Sequence, residues 1–441
     1  MNPIIEFIRT IKEIRQNKST YFLMFYQFVF ISNLVRQLST DTALVANIVF
    51  MLVLCFKTGK ISKRENDVFL AIMVGYLLIN VIPTLMFGFA PKLFLGFAGR
   101  IFLGFLIITY FKHNFFPVFE RLVFVLAFIS LPLFLIQVVY VPFFNIFESF
   151  SRLVLTDARF SLGRYELSGH RYMLVFLVNS WGEFRNSGFM WEPAGFGAML
   201  AWASLVNVFI HRFAMNPRLI VLFIAAITTF SIGTYIYFAL FILVYLTRNV
   251  GNKNAFLFLF LVFILVPVTY RLDFVQQNMD MIERKINSEQ AMAERIQIGR
   301  AGQRVSRVGG ALGNIEQIIK TPFGYGVNYE FADFVYNSPN GLMTLMRSWG
   351  FPILAIILFC SYRIIKKLSM LYSLNLKLFH VVLLMMVIIL PIAGNPIYNR
   401  PFLFALLFSG FVVRPILHNT FNKKTITFRF SNRKKWLTHA K

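Results

Sequence analysis

The chain of 441 residues is 57% hydrophobic and only 14% charged, a balance that excludes a water-soluble enzyme and places it among membrane proteins. Its formal charge of +25, from 44 Lys+Arg against 19 Asp+Glu, raises nucleic acid as a partner until the charges are located. Cys55 and Cys360 both lie in apolar runs, which excludes a disulfide framework and a thiolate metal site.

Residues 1–19 do not read as a signal peptide, because Glu6, Arg9, Lys12, Glu13 and Arg15 interrupt Ile4, Ile8, Ile11 and Ile14. An amphipathic helix on the inner leaflet fits that pattern. A membrane helix needs about 20 apolar residues. Twelve runs reach or approach that length: 21–38, 42–56, 68–87, 93–111, 122–142, 193–210, 219–232, 234–247, 256–270, 341–360, 378–394 and 401–417. Only Ser231, Ile232 and Gly233 separate the seventh run from the eighth, so the pair is a tight hairpin or one bent helix. The organisation expected is helices 1 to 5 in 20–142, an outer loop at 143–192, helices 6 to 9 in 193–270, a large outer loop at 271–340, helices 10 to 12 in 341–417 and a basic tail at 418–441.

Charge orients this array, since Lys and Arg in short loops mark the cytoplasmic side. With both termini cytoplasmic, the inner segments hold 25 Lys+Arg against Glu6, Glu13, Glu65, Asp67 and Glu120, a surplus of +20. Segment 143–192 carries five basic and five acidic residues, and 271–340 carries eight of each. Nearly all the basicity is therefore topological, and no nucleic acid is implied. No internal repeat is visible and all the loop mass falls on one face, which argues against a transporter built from matching halves. Function is expected in the two outer loops.

The first loop ends in Arg185-Asn186-Ser187-Gly188-Phe189-Met190-Trp191-Glu192-Pro193. Proline favours the first helical position, so Glu192 is the expected cap of the helix that follows, at the positive end of its dipole. Ala194, Gly197, Ala198 and Ala201 then offer a small-residue face to a neighbouring helix. In the second loop Arg300, Arg304 and Arg307 would share one helical face, although Gly302, Gly309, Gly310 and Gly313 weaken a continuous helix. Arg100 stands inside the fourth run, where a charge costs at least ~2.5 kcal/mol. Its compensation is carbonyls, water, a loop carboxylate or an anionic ligand. Trp181, Trp191, Tyr165, Tyr172, Tyr325, Tyr329 and Tyr336 suit both sugar stacking and an interfacial aromatic belt.

The Arg-x-x-Gly-x-x-x-Glu-Pro pattern resembles the signature before a membrane helix in the bacterial O-antigen polymerase and O-antigen ligase superfamily. The second loop is similar as well. It runs through Arg300 and Arg304 to Pro322-Phe323-Gly324-Tyr325-Gly326, then Asn337-Ser338-Pro339-Asn340-Gly341 and a helix with Trp349-Gly350. The ligase branch shows a histidine at that last polar motif, where this chain has Asn337, Ser338 and Asn340. Of its six histidines only His170 falls in an outer loop, so the polymerase branch is favoured.

The resemblance implies an all-α polytopic membrane enzyme of the GT-C type in a bacterial inner membrane. It implies a growing O-antigen, capsule or exopolysaccharide chain moved from undecaprenyl diphosphate to a new lipid-linked unit, with no metal or other cofactor. Partners implied are the undecaprenyl-diphosphate-linked oligosaccharide, membrane lipids, a chain-length regulator and a flippase. Glu192, Arg185, Arg300 and Arg304 are the expected catalytic residues, and Arg100, Arg307, Asn337, Ser338, Asn340, Trp191 and Tyr325 the expected substrate contacts. A ligase acting on a lipid or protein acceptor is the alternative within the superfamily. A lipid-linked oligosaccharide flippase is the alternative from another class.

Overall fold

The computed structural model describes residues 2–32, 35, 38, 40–154, 171–178, 184–249, 315, 318–326, 341–394 and 400–413. They form helices α1 (Pro3–Gln16), α2 (Lys18–Ser32), α3 (Asp41–Lys57), α4 (Lys63–Phe87), α5 (Pro91–Phe111), α6 (Phe115–Val139) and α7 (Glu148–Val154). After a two-residue hairpin of β1 (Arg171–Tyr172) and β2 (Leu177–Val178) come α8 (Pro193–Ile210), α9 (Pro217–Ile227) and α10 (Ile232–Asn249). The last three are α11 (Gly341–Leu371), α12 (Leu378–Gly394) and α13 (Pro401–Val412).

Local sequence fixes most of the starts. The side chains of Asn2, Thr40 and Asn216 accept the first free amides of α1, α3 and α9, and Ser62 and Glu65 close a capping box on α4, as short polar side chains do at helix N-termini. Proline opens α5, α8 and α13, where its missing N–H costs nothing. Among the described residues four stretches are long and apolar enough to cross a membrane: Lys63–Phe87, Pro91–Val139, Pro193–Ile210 and Gly341–Leu371. The second is α5 and α6 joined by the 3-10 turn Lys112–Asn114, in which Lys112 has φ +44°. Helices α9, α10, α12 and α13 are apolar but shorter. The expected run at 256–270 lies outside the described residues.

The 231–233 ambiguity resolves as a hairpin. Helix α9 ends at Ile227 and the Tyr235 hydroxyl of α10 donates to the Ile227 carbonyl at 2.9 Å. Phe223 packs on Phe238 and Phe241, and Arg248 reaches back over the Phe213 ring at 4.4 Å.

Helix α8 is the centre of the bundle, buried at every residue from Pro193 to Phe209. Its small residues let α10 in as expected. At Gly197 a Cβ would collide with Thr234 Oγ1, so only glycine permits this approach.

Helix α6 differs from expectation. It starts at Phe115 rather than 122, which puts Glu120 inside a helix with none of its surface exposed instead of in a loop. The reason is pairing. Arg218 Nη1 lies 3.0 Å from Glu120 Oε2, and Asn207 Nδ2 donates to Oε1 at 2.7 Å, so the carboxylate is satisfied where it is desolvated.

Candidate functional site

The Arg185-to-Pro193 segment is held by backbone and amide contacts at the Pro193 end of α8. Asn186 Nδ2 donates to Ser130 Oγ at 3.0 Å and to Thr228 Oγ1 at 2.9 Å, while its Oδ1 accepts the Gly188 amide at 2.9 Å. That amide is presented by Gly188 at φ +49°, a left-handed conformation against which the Phe196 ring packs 2.6 Å from where a Cβ would stand. Glycine is required on both counts. Next to this anchor, Arg185 Nε donates to the Thr229 carbonyl at 3.2 Å.

Glu192 occupies the cap position with extended backbone (φ −148°, ψ 154°), yet its side chain makes no capping hydrogen bond. The expected capping role is therefore not what this carboxylate does. A second proline start repeats the device: Arg400 is extended (φ −92°, ψ 135°) before Pro401, as the following ring demands. The two starts meet through Trp191, whose ring centroid lies 5.5 Å from the Arg400 guanidinium. This is cation–π range.

Helix α13 begins far along α5. The Pro401 carbonyl lies 2.5 Å from where a Gly104 Cβ would stand, and Gly104 comes about 20 Å after the first residue of α5 at 1.5 Å per residue. Arg100 precedes Gly104 by one turn and is half-buried. On the neighbouring α4 the Tyr76 hydroxyl donates to the Phe94 carbonyl of α5 at 3.0 Å. Among the described residues Arg100 makes no hydrogen bond or ion pair. Trp191 and Arg400 thus join the starts of α8 and α13, and Gly104 brings α13 onto α5 one turn from Arg100.

The Pro-Phe-Gly-Tyr-Gly motif has a structural role of its own. At Gly350 (φ 62°, ψ −149°) helix α11 breaks. An unbroken helix would pair the Phe351 amide with the Arg347 carbonyl. Here the Phe351 amide donates instead to the Pro322 carbonyl at 2.9 Å, and the Arg347 carbonyl accepts from the Tyr325 amide at 2.8 Å. The motif is spliced into one rung of the helix. Gly324 (φ +73°) fits against the Ser348 carbonyl, and Gly326 (φ +68°) against Pro83 of α4. Beside the splice Trp349 Nε1 donates to Asn80 Oδ1 at 2.9 Å, and Tyr325 packs against Phe87 with ring centroids 4.7 Å apart.

Of the expected site residues, Glu192, Arg185, Trp191, Arg100 and Tyr325 are described. Arg300, Arg304, Arg307, Asn337, Ser338 and Asn340 lie outside the described residues, as do His170, Trp181, Tyr165, Tyr329 and Tyr336. Tyr172 is fully buried. Burial pushes its hydroxyl up to about 12, and its ring has no free face for a sugar. Arg400 was not among the expected site residues, although the Arg400-Pro401 pair echoes Glu192-Pro193 in the sequence.

A second polar cluster lies around the Glu120 end of α6. Arg218 also meets Glu6 of α1, with Nε 2.9 Å and Nη2 2.8 Å from Glu6 Oε1. Arg121 pairs with Glu13 at 3.2 Å and donates to the Tyr21 hydroxyl at 3.2 Å. His211, just past α8, is pushed below the ordinary histidine value by burial, with Glu120 opposing and Arg218 reinforcing the shift. His113 is lowered by burial and by Lys60 and Lys112. Comparison of the chain with family models, with curated proteins and with solved structures finds no match.

Proposed function

We propose that this chain is a membrane glycosyltransferase that polymerises lipid-diphosphate-linked oligosaccharide units at the outer face of a bacterial inner membrane. In this reading both termini are cytoplasmic and the fold is of the GT-C type. The observation that carries it is the meeting of Glu192-Pro193 and Arg400-Pro401 through Trp191, with Arg100 one turn from the α5–α13 contact. Transfer breaks the bond between the anomeric carbon and the diphosphate oxygen, and the lipid diphosphate leaves with the electron pair. The acceptor hydroxyl passes its proton to the departing diphosphate, directly or through water, as the new glycosidic bond forms. Preorganised guanidinium groups stabilise the charge that grows on the leaving group, and their planar fork matches phosphate oxygens. Glu192, which does not cap its helix, is assigned to orienting the acceptor hydroxyl, with the Trp191 ring offering a face to a sugar.

The test is the polysaccharide ladder of a strain lacking this protein. Loss of long chains with a single unit still attached is the expected result. Loss of every attached unit would replace this reading with a ligase or flippase. Complementation with Arg185→Lys, Arg300→Lys or Arg304→Lys, each keeping the charge and losing the fork, should leave chains short at matched expression.

A further inference from the structure

Helix α1 turns its polar side inward. Glu6 and Thr10 are buried, at 5% and 0% exposure, whereas Ile4, Ile5, Ile8 and Ile11 are 57%, 59%, 49% and 39% exposed. The inward side is locked. Glu6 is held by the buried Arg218 of α9, Arg121 of α6 takes Glu13, and the Phe7 ring stacks on Phe128 of α6 at 4.3 Å. Ile4, Ile5, Ile8 and Ile11 therefore stay outside because the acids are tied inside, while Ile14 packs partly on the core.

Helical geometry puts Ile4, Ile8, Ile11 and Arg15 on one line and Ile5, Lys12 and Gln16 on the next. Lys12, Arg15 and Lys18 are exposed and form no ion pair among the described residues. Helix α9, on which α1 packs, continues an apolar outer face with Ile220, Ile224 and Ile227 at 42%, 45% and 59% exposure. A bare isoleucine row flanked by unpaired cations is the composition that lies in a lipid interface, its long basic side chains reaching headgroup phosphates.

We propose that α1 is a docked membrane-surface helix whose outward side binds an anionic phospholipid leaflet, with Glu6–Arg218 as the clasp that holds it in that orientation. The charge complementarity of Lys12, Arg15 and Lys18 selects an acidic headgroup over a neutral one. Each is worth about fivefold in the ratio of lipid-seated to detached helix, which is about 1 kcal/mol per cation at an anionic surface.

The full chain carrying Ile8→Cys, labelled with an environment-sensitive fluorophore and placed in nanodiscs, tests this. Native Cys55 and Cys360 are buried, so the label goes to position 8. In discs containing phosphatidylglycerol, a nitroxide on the lipid chains should quench the label and aqueous iodide should not. In pure phosphatidylcholine, or with Lys12→Gln, Arg15→Gln and Lys18→Gln combined, lipid quenching should drop severalfold. Access to iodide in both lipids would overturn the proposal. Protection from both quenchers would mean that another protein covers the face, and would overturn it too. Lipid quenching that ignores headgroup charge would overturn the assignment to anionic lipid.

Discussion

Replacing Arg218 with Met removes the only cation of a buried triad. The Arg218 side chain is 6% exposed, those of Glu6 and Glu120 are 7% and 0%, and its three short contacts run 2.8, 2.9 and 3.0 Å. With the guanidinium gone, two carboxylates remain in a desolvated site, where the half-exposed Arg9 still lies 3.9 Å from Glu6 Oε2 and, among the described residues, Asn207 still donates to Glu120. Breaking a buried pair from one side costs about 3–5 kcal/mol. Glu6→Gln is the contrasting change. It leaves one cation opposite one anion, with the amide oxygen still accepting from Arg218, so about 1 kcal/mol is expected. Combining Arg218→Met with Glu6→Leu and Glu120→Leu should recover most of the loss, since an apolar trio removes the desolvation problem. Denaturant titration of the micelle-bound protein, followed by tryptophan fluorescence through the fully buried Trp202, measures all three. Equal losses for Arg218→Met and Glu6→Gln, or a stable Arg218→Met, would refute the argument that this arginine neutralises two buried acids.

At matched membrane levels Glu192→Asn should shorten the polymer relative to Glu192→Asp; wild-type ladders from Glu192→Asn would remove the residue from the chemistry. Gly197→Ala should cost about 1–3 kcal/mol through overpacking against Thr234, and adding Thr234→Gly should return part of it, read in the same titration. Because burial lowers His211 and His113, the unfolded chain binds more protons than the folded one below the ordinary histidine value. Stability should therefore be complete above that value and fall as pH drops through it. His211→Gln should flatten this acid-side slope, and an unchanged slope in a double variant with His113→Gln would show that other groups set it.

Helix positions were legible wherever a local signal marked them. Pro193 and Pro401 announce their helices, and the run 378–394 matches α12 residue for residue. The start of α6 was not, because Glu120 looks like a loop residue until Arg218, 98 positions away, is placed beside it. The Arg185–Glu192 motif was visible as a string, whereas its meeting with Arg400 through Trp191 depends on where α13 starts against α5. Hydropathy does not encode that register. The inward polar side of α1 was hidden for the same reason: periodicity shows that a helix has two sides, and only the partner decides which one is covered.

The splice between Pro322–Tyr325 and the broken rung of α11 has a mechanical meaning. Two backbone bonds that would each be local, one closing a turn and one continuing a helix, have traded partners, so neither segment can re-form its own bond without releasing the other. The arrangement works like a latch whose tongue is main chain and therefore has no side chain to mutate away. The 271–340 segment is thereby fastened at Pro322–Tyr325 to a fixed station on α11, nine residues beyond that helix's own start. Any displacement of Pro322–Tyr325 pulls on the Gly350 break and on Trp349, and through Asn80 on α4, so the motif and the helix geometry change together.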